Sequence, residues 1–301
     1  MLRSSLVAAL LAACLLGTPA LADHTSGNCD TGIPADETLG FNWFPRGEIF
    51  CPLIADPKSD GSFASYVRGT SSSPFGTDLG SIGVGDRFTI VRYNGPRVGE
   101  GVELGLAANV YAQFDLDAPS YDLINADYVI GLPLTFRLDR FSGRLRLYHQ
   151  SSHLGDEFVL RPGVERENFA FQSAEGILAF DIGPIRAYAG GEYLFGETPG
   201  SRITSLVHGG VEFRQGGGLA PSGKLARVRL VAGADLKSSE ELDWEPAVSA
   251  RAGFEFGRQT GATHTSRRIS LLGEYYEGAS PYGQFFRDKV SYYGVGLHIG
   301  R

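Results

Sequence analysis

From residue 62 onward the chain alternates apolar and polar side chains with a period of two. Ala126, Tyr128, Ile130, Leu132, Leu134 and Phe136 share one parity, while Asp127, Thr135 and Arg137 share the other. Val228, Leu230, Ala232, Ala234 and Leu236 stand opposite Arg227, Arg229, Asp235 and Lys237, and Ala250, Ala252, Phe254 and Phe256 opposite Ser249, Arg251 and Glu255. Alternation of this length is a strand with one apolar and one polar face. Twelve such segments are predicted, near 62–68, 85–94, 100–114, 124–138, 142–151, 164–181, 184–195, 203–214, 225–237, 244–257, 266–277 and 289–299. Many run ten residues or more, against about 5–6 in soluble sheets and about 9–11 for a tilted membrane-crossing strand. Charges recur on the polar parity, where a barrel lumen can hold them and a soluble core could not.

The connections alternate as well. Residues 138–140 and 181–184 are tight, whereas 115–123, 152–163 and 278–288 are longer and polar. Short turns at one end and long loops at the other are the outer-membrane pattern, the short turns being periplasmic. Two connections, 215–224 and 258–265, depart from it by being long at the periplasmic end. The fold expected is all-β: a transmembrane antiparallel up-and-down β-barrel of about twelve strands over 62–301. A secreted carbohydrate-binding sandwich is the competing architecture.

The N-terminus changes what remains of the chain. Residues 1–22 carry Arg3, an apolar run over 6–16 and Ala20-Leu21-Ala22, the form of a secretory signal peptide. A lipoprotein signal ending at Cys14 is the lesser alternative. Residues 23–61 form an N-terminal extension without a clean period, open to three arrangements: periplasmic extension, lumen plug or first strand. Its two cysteines, Cys29 and Cys51, are expected to form one disulfide in an oxidising compartment. Of 301 residues 41 are Gly and 43% are hydrophobic, and the net charge is −7. That charge argues against nucleic acid as a partner. No later stretch approaches the ~18 apolar residues of a membrane-spanning helix.

One segment carries candidate chemistry: Arg144-Leu145-Arg146-Leu147-Tyr148-His149-Gln150-Ser151-Ser152-His153-Leu154-Gly155-Asp156-Glu157. As a strand it puts Arg144, Arg146, Tyr148 and Gln150 on one face and Leu145, Leu147, His149 and Ser151 on the other. His149 and Ser151 therefore share the apolar, lipid-facing side, where unpaired polar groups are costly. Residues i and i+2 of a strand are about 6.5–7 Å apart, within reach of an imidazole-to-hydroxyl contact, the arrangement that activates a serine nucleophile. The strand rises from the tight 139–140 turn, so the pair is expected at the extracellular end, facing the outer leaflet.

His149-Gln150-Ser151, followed by a small polar residue and a nearby glycine, resembles the His-x-Ser-Asn motif of outer membrane phospholipase A and is similar to that of the lipid A deacylases. Ser152 stands where those families have Asn. The resemblance implies a lipid acyl-ester hydrolase in the bacterial outer membrane acting on phospholipid or lipopolysaccharide. It implies Ser151 as nucleophile, His149 as base and Asn168 as the third member, with Glu165 and Glu167 as alternatives. The oxyanion is assigned to Ser152, with Gly155 nearby. Calcium held by Asp156 and Glu157, and a homodimer, follow from the same resemblance. Over nearly its whole mature length the chain also resembles a bacterial domain-of-unknown-function family, through Phe44-Pro45-Arg46-Gly47-Glu48-Ile49-Phe50-Cys51-Pro52, Phe114-Asp115-Leu116-Asp117-Ala118-Pro119-Ser120-Tyr121-Asp122 and the block from Tyr148 to Glu157. That family brings no activity with it. The alternative function is a non-enzymatic barrel: a narrow channel, or a structural or export component.

Other features carry less. Asp115, Asp117, Asp122 and Asp127 surround a Pro-Ser turn, as a calcium loop or as plain exposed carboxylates. Gly95–Gly101 lacks the Lys-Ser/Thr of a phosphate loop and reads as a turn. The lumen arginines are expected to pair with acids across a narrow interior rather than line a substrate channel.

Overall fold

The computed structural model describes residues 33, 39–70, 76–164, 166, 169–198, 204–215, 227–257 and 268–300. Twelve strands form a sequential antiparallel meander: β2 (Ser62–Gly69), β3 (Asp78–Asn94), β4 (Gly101–Asp115), β5 (Leu123–Leu138), β6 (Phe141–Leu154), β7 (Phe169–Ile182), β8 (Ile185–Thr198), β9 (Thr204–Arg214), β10 (Arg227–Ser239), β11 (Pro246–Gly257), β12 (Arg268–Ala279) and β13 (Lys289–Gly300). β13 pairs back onto β2, so the sheet closes into a barrel without free edges. Most apolar residues of the strands face outward, as Leu145 and Leu147 do on β6, while Arg144 and Arg146 between them are buried inside.

Two strand positions differ from the periodicity. β3 begins at Asp78 rather than near 85, because Gly80, Gly83 and Gly85 interrupt the hydrophobic signal; Gly83 is required where the Phe63 ring lies over it. The first element, β1 (Gly40–Trp43), had no readable period. It pairs with Val91–Asn94 of β3 below the start of the short β2. The 1–22 signal, Cys29 and the long connections near 215–224 and 258–265 lie wholly or mostly outside the described residues.

After β1 the chain turns into the lumen and fills it. Ile49, Phe50, Cys51, Leu53, Ala55 and Asp56 are almost completely buried. Irregular backbone inside a barrel leaves carbonyls without a ladder, and each must find a donor. Wall arginines supply them. Arg92 donates to the carbonyls of Arg46 (2.9 Å) and Gly47 (2.7 Å), Arg87 to Phe50 (3.0 Å), Arg137 to Ile49 (3.0 Å), Arg186 to Cys51 (3.1 Å), and Arg251 to Ile54 (3.1 Å) and Asp56 (3.2 Å). Carboxylates match the plug's amides: Glu103 accepts from Ile49 N at 3.2 Å and Glu212 from Ile54 N at 2.6 Å. Phe50 lies between the guanidiniums of Arg144 and Arg186, 5.4 and 4.4 Å from its centroid. The apex is pinned by Lys58, whose ammonium reaches Asp127 at 2.7 Å and Gln150 at 3.1 Å, and by Asp56, which holds Lys237 at 2.8 Å.

The four carboxylates of the Asp115–Asp127 segment, open to a calcium loop from the sequence, are instead engaged within the protein. Arg161 binds Asp115 at 2.8 Å and Asp122 at 2.7 Å, and Asp127 is taken by Lys58. The amides of Asp78 and Thr77 donate to Asp117 at 3.1 and 2.7 Å. These two bonds hold the Asp117 carboxyl below the usual carboxylate range. That loop contact is complete above the ordinary carboxylate pKa and is lost as pH falls through the lowered one.

Candidate active site

His149 and Ser151 project from the outer face of β6, each half-buried, in line with the exposed Leu145 and Leu147. Register places Ser151 between Tyr128 of β5 and Ala170 of β7, and His149 between Ile130 of β5 and Gln172 of β7. Ala170 is small, so the β7 side of the hydroxyl has only a methyl neighbour. Above the pair, His153 meets the Tyr128 ring edge-on at 5.8 Å, at the loop end of the strand.

Gln172 is the residue the sequence reading missed. Its amide contacts His149 Nδ1 at 3.2 Å. The network assigns which end faces the ring: the carbonyls of Phe195 and Gly196, at 3.0 and 3.2 Å, need a donor, so the amide nitrogen faces them and the oxygen accepts from His149 Nδ1–H. This fixes the tautomer. Nδ1 carries the proton and Nε2 keeps its lone pair, as a general base requires. A β-bulge on β8 exposes those carbonyls: Ala170 pairs with Thr198 but Gln172 with Phe195, leaving one extra residue on β8. Gly196 occupies the left-handed region there (φ 63°), and a Cβ at this position would overlap the near end of the Gln172 amide, the end that the network assigns as nitrogen. Gly196→Ala is therefore expected to unseat Gln172 and to lower turnover about as much as removing its amide, measured as fatty-acid release.

A parity signal for Gln172 exists. Leu178 and Phe180 put even positions of β7 outward, and continuing that count makes Gln172 a third polar residue on the lipid face. Phe169 and Phe171 obscured it by suggesting the opposite phase. In the structure Phe171 points inward and is 6% exposed, and the bulge lies on β8 while the β6–β7 register is unbroken. Asn168, Glu165 and Glu167, expected as third members, lie outside the described residues.

Among the described residues Ser151 makes no hydrogen bond to the His149 ring; such contacts are often long before substrate arrives. Ser152 faces inward and is buried, its hydroxyl donating to Asn125 at 3.0 Å and to Asp127. Gly155 is corrected as an oxyanion donor: its N–H already donates to Ile124 O at 3.0 Å, and a Cβ there would overlap the Leu123 carbonyl, so this glycine serves a close backbone approach. Asp156 and Glu157 are exposed in the single-turn helix α1 (Asp156–Val159). Among the described residues no three His, Cys, Asp or Glu side chains converge as a metal cage. Among the described residues Asp156 and Glu157 are therefore not joined by the further acidic ligands that a calcium ion, which takes six to eight oxygens, draws on.

A family of proteins of unknown function, DUF1207, matches residues 17–300. The chain belongs to this family. No curated protein matches this DUF1207 chain. Solved structures do. The outer membrane phospholipase dimer of Salmonella typhi, crystallised with bound calcium, is similar with a TM-score of 0.53 at 11% identity, over 80% of this chain and 91% of that one. Outer membrane phospholipase A of Escherichia coli gives 0.51 at 12% identity, over 83% and 93%. An active-site asparagine-to-alanine mutant of the E. coli enzyme gives 0.53 at 11%, over 93% and 99%. At such identity the likeness establishes the barrel, and the activity has to be argued from the site.

Proposed function

We propose that this DUF1207 protein is a lipid acyl-ester hydrolase of the outer membrane, with its nucleophile on the lipid-facing wall. The observation that supports it most is the outward trio: Ser151 beside a histidine whose Nδ1 proton is committed to Gln172. Three polar side chains in an apolar belt are costly alone, and here they stand in the order nucleophile, base, orienter.

In this mechanism Ser151 Oγ attacks the ester carbonyl carbon and its proton passes to His149 Nε2. The tetrahedral intermediate collapses, expelling the lipid alcohol, which takes that proton from His149 and leaves an acyl-serine. Water, deprotonated by His149, then cleaves the acyl-enzyme and restores Ser151. Gln172 holds the ring through Nδ1 and accommodates the positive charge on it. The Ser152 amide, the backbone donor following the nucleophile, is the proposed oxyanion donor.

Phospholipid and lipopolysaccharide are the proposed substrates, and a second copy of the chain the proposed partner. The test is fatty-acid release from each lipid by the purified protein in non-ionic detergent, with and without added calcium and with chemical cross-linking in parallel. No release from either lipid under any of these conditions overturns the hydrolase. Gln172→Ala is expected to lower kcat by roughly 10- to 100-fold with KM little changed, and Gln172→Asn to recover part of it, because the lost interaction strengthens only as the imidazolium forms. Equal loss in both variants would point to a packing role.

The plug weighs against the channel alternative. An open pathway needs the lumen, and the described residues 45–60 occupy its lower and middle parts.

A further inference from the structure

Above the plug apex the lumen opens into a cavity of about 250 Å³ at the long-loop mouth. Asp56 and Lys58 form its floor. Its walls come from the inner faces of several strands and from the loop 279–287. It lies behind Ser151, on the opposite side of the barrel wall, and the mechanism above does not use it.

We infer that this cavity binds an organic cation with an apolar body, of the arylalkyl-ammonium type. The charges lining it decide the sign. Its three cations are each committed: Lys58 to Asp127 at 2.7 Å, Lys237 to Asp56 at 2.8 Å and Arg287 to Glu241 at 2.9 Å. Asp235 faces His208 at 2.5 Å and Glu245 faces Lys289 at 2.5 Å. Glu192 is the remaining carboxylate, and among the described residues no cation lies within ion-pair distance of it. It accepts from the Tyr148 hydroxyl at 2.6 Å and the Ser173 hydroxyl at 3.2 Å, two neutral donors that orient it without neutralising it. Aromatic groups line the same cavity: Phe171 and Phe169 in edge contact at 5.6 Å, and Phe286 stacked on Phe169 at 5.2 Å. Leu194 and Leu206 add aliphatic wall on the same side as Glu192.

A carboxylate that no described cation contacts directly, with Lys237 and Arg146 acting on it only from beyond ion-pair distance, in a cavity also lined by aromatic rings, favours a cation twice over, by direct attraction and through the ring quadrupoles. An anion would meet Glu192 with no lysine free to receive it. A neutral molecule would gain only the apolar walls. The few converging polar groups and mainly apolar lining are those of a small-molecule site.

Titration calorimetry in non-ionic detergent tests this with three probes of one shape: phenethylamine (protonated at neutral pH), phenethyl alcohol and phenylacetate. The amine is expected to bind at least tenfold more tightly than the alcohol, with phenylacetate undetectable. Glu192→Gln is expected to weaken the amine at least tenfold and leave the alcohol unchanged. Phe286→Ala, in a surface loop, is expected to weaken amine and alcohol alike and keeps the test open should Glu192→Gln fail to fold. Binding of phenylacetate as tight as the amine, an unchanged Glu192→Gln affinity, or no heat with any probe would overturn the inference. Ser151→Ala protein is expected to bind the amine as wild type does, so the outcome is independent of hydrolase activity.

Discussion

Ser151→Ala is expected to abolish fatty-acid release, by roughly 10³-fold or more, while the barrel keeps its heat-modifiable mobility on gels. The two outcomes separate because of where the side chain stands. Ser151 is half-buried on the outer face of β6, beside Ala170, and its hydroxyl makes no hydrogen bond among the described residues. Removing its hydroxyl therefore breaks no ladder and empties no core, and stability should change by less than about 1 kcal/mol. His149→Ala should cost a similar factor in rate, and the double variant no more than either single one, because nucleophile and base act as a unit. Release persisting in Ser151→Ala would eliminate this residue as nucleophile.

Arg186→Ala is expected to be the most disruptive single change inside the barrel, lowering stability by about 3–5 kcal/mol and raising conductance across planar bilayers above a closed wild-type baseline. Arg186 is fully buried and performs three tasks. It pairs with Glu212 at 3.4 Å, donates to the Cys51 carbonyl at 3.1 Å, and lies 4.4 Å from the centroid of the Phe50 ring. Its loss removes the buried ion pair to Glu212 and frees the plug at Phe50 and Cys51. Arg186→Lys should rescue little, since an ammonium cannot reproduce the planar fork and stack. Denaturant midpoints on folded, detergent-solubilised protein measure the first effect and single-channel recording the second. A closed, fully stable Arg186→Ala barrel would show that the plug is held elsewhere.

Much of this was legible in the chain. The period of two marks the barrel strands because lipid and lumen impose opposite polarity on alternate residues, and that constraint acts locally, residue by residue. It put His149 and Ser151 on the outer face without any knowledge of their neighbours. It failed where a local signal was absent or misleading: at the glycines that open β3, and at Phe169 and Phe171.

Gln172 shows why the remainder had to wait. Parity alone could have put it on the lipid face. That it meets His149, 23 residues away, depends on the β6–β7 register, which a long loop leaves undetermined. That its oxygen faces the ring depends on two carbonyls freed by a bulge on a third strand, β8. The plug is similar. Residues 45–60 have no period because irregular chain inside a lumen answers to whichever wall arginines it meets, not to a repeating environment. Sequence alone determined most of the barrel strands, the faces of those with an unbroken period, and the two residues proposed for the chemistry, because each depends on its own side chain and its parity. Register, the third residue, the plug and the cavity above it were decided only by closure of the barrel, which sets distant residues against one another.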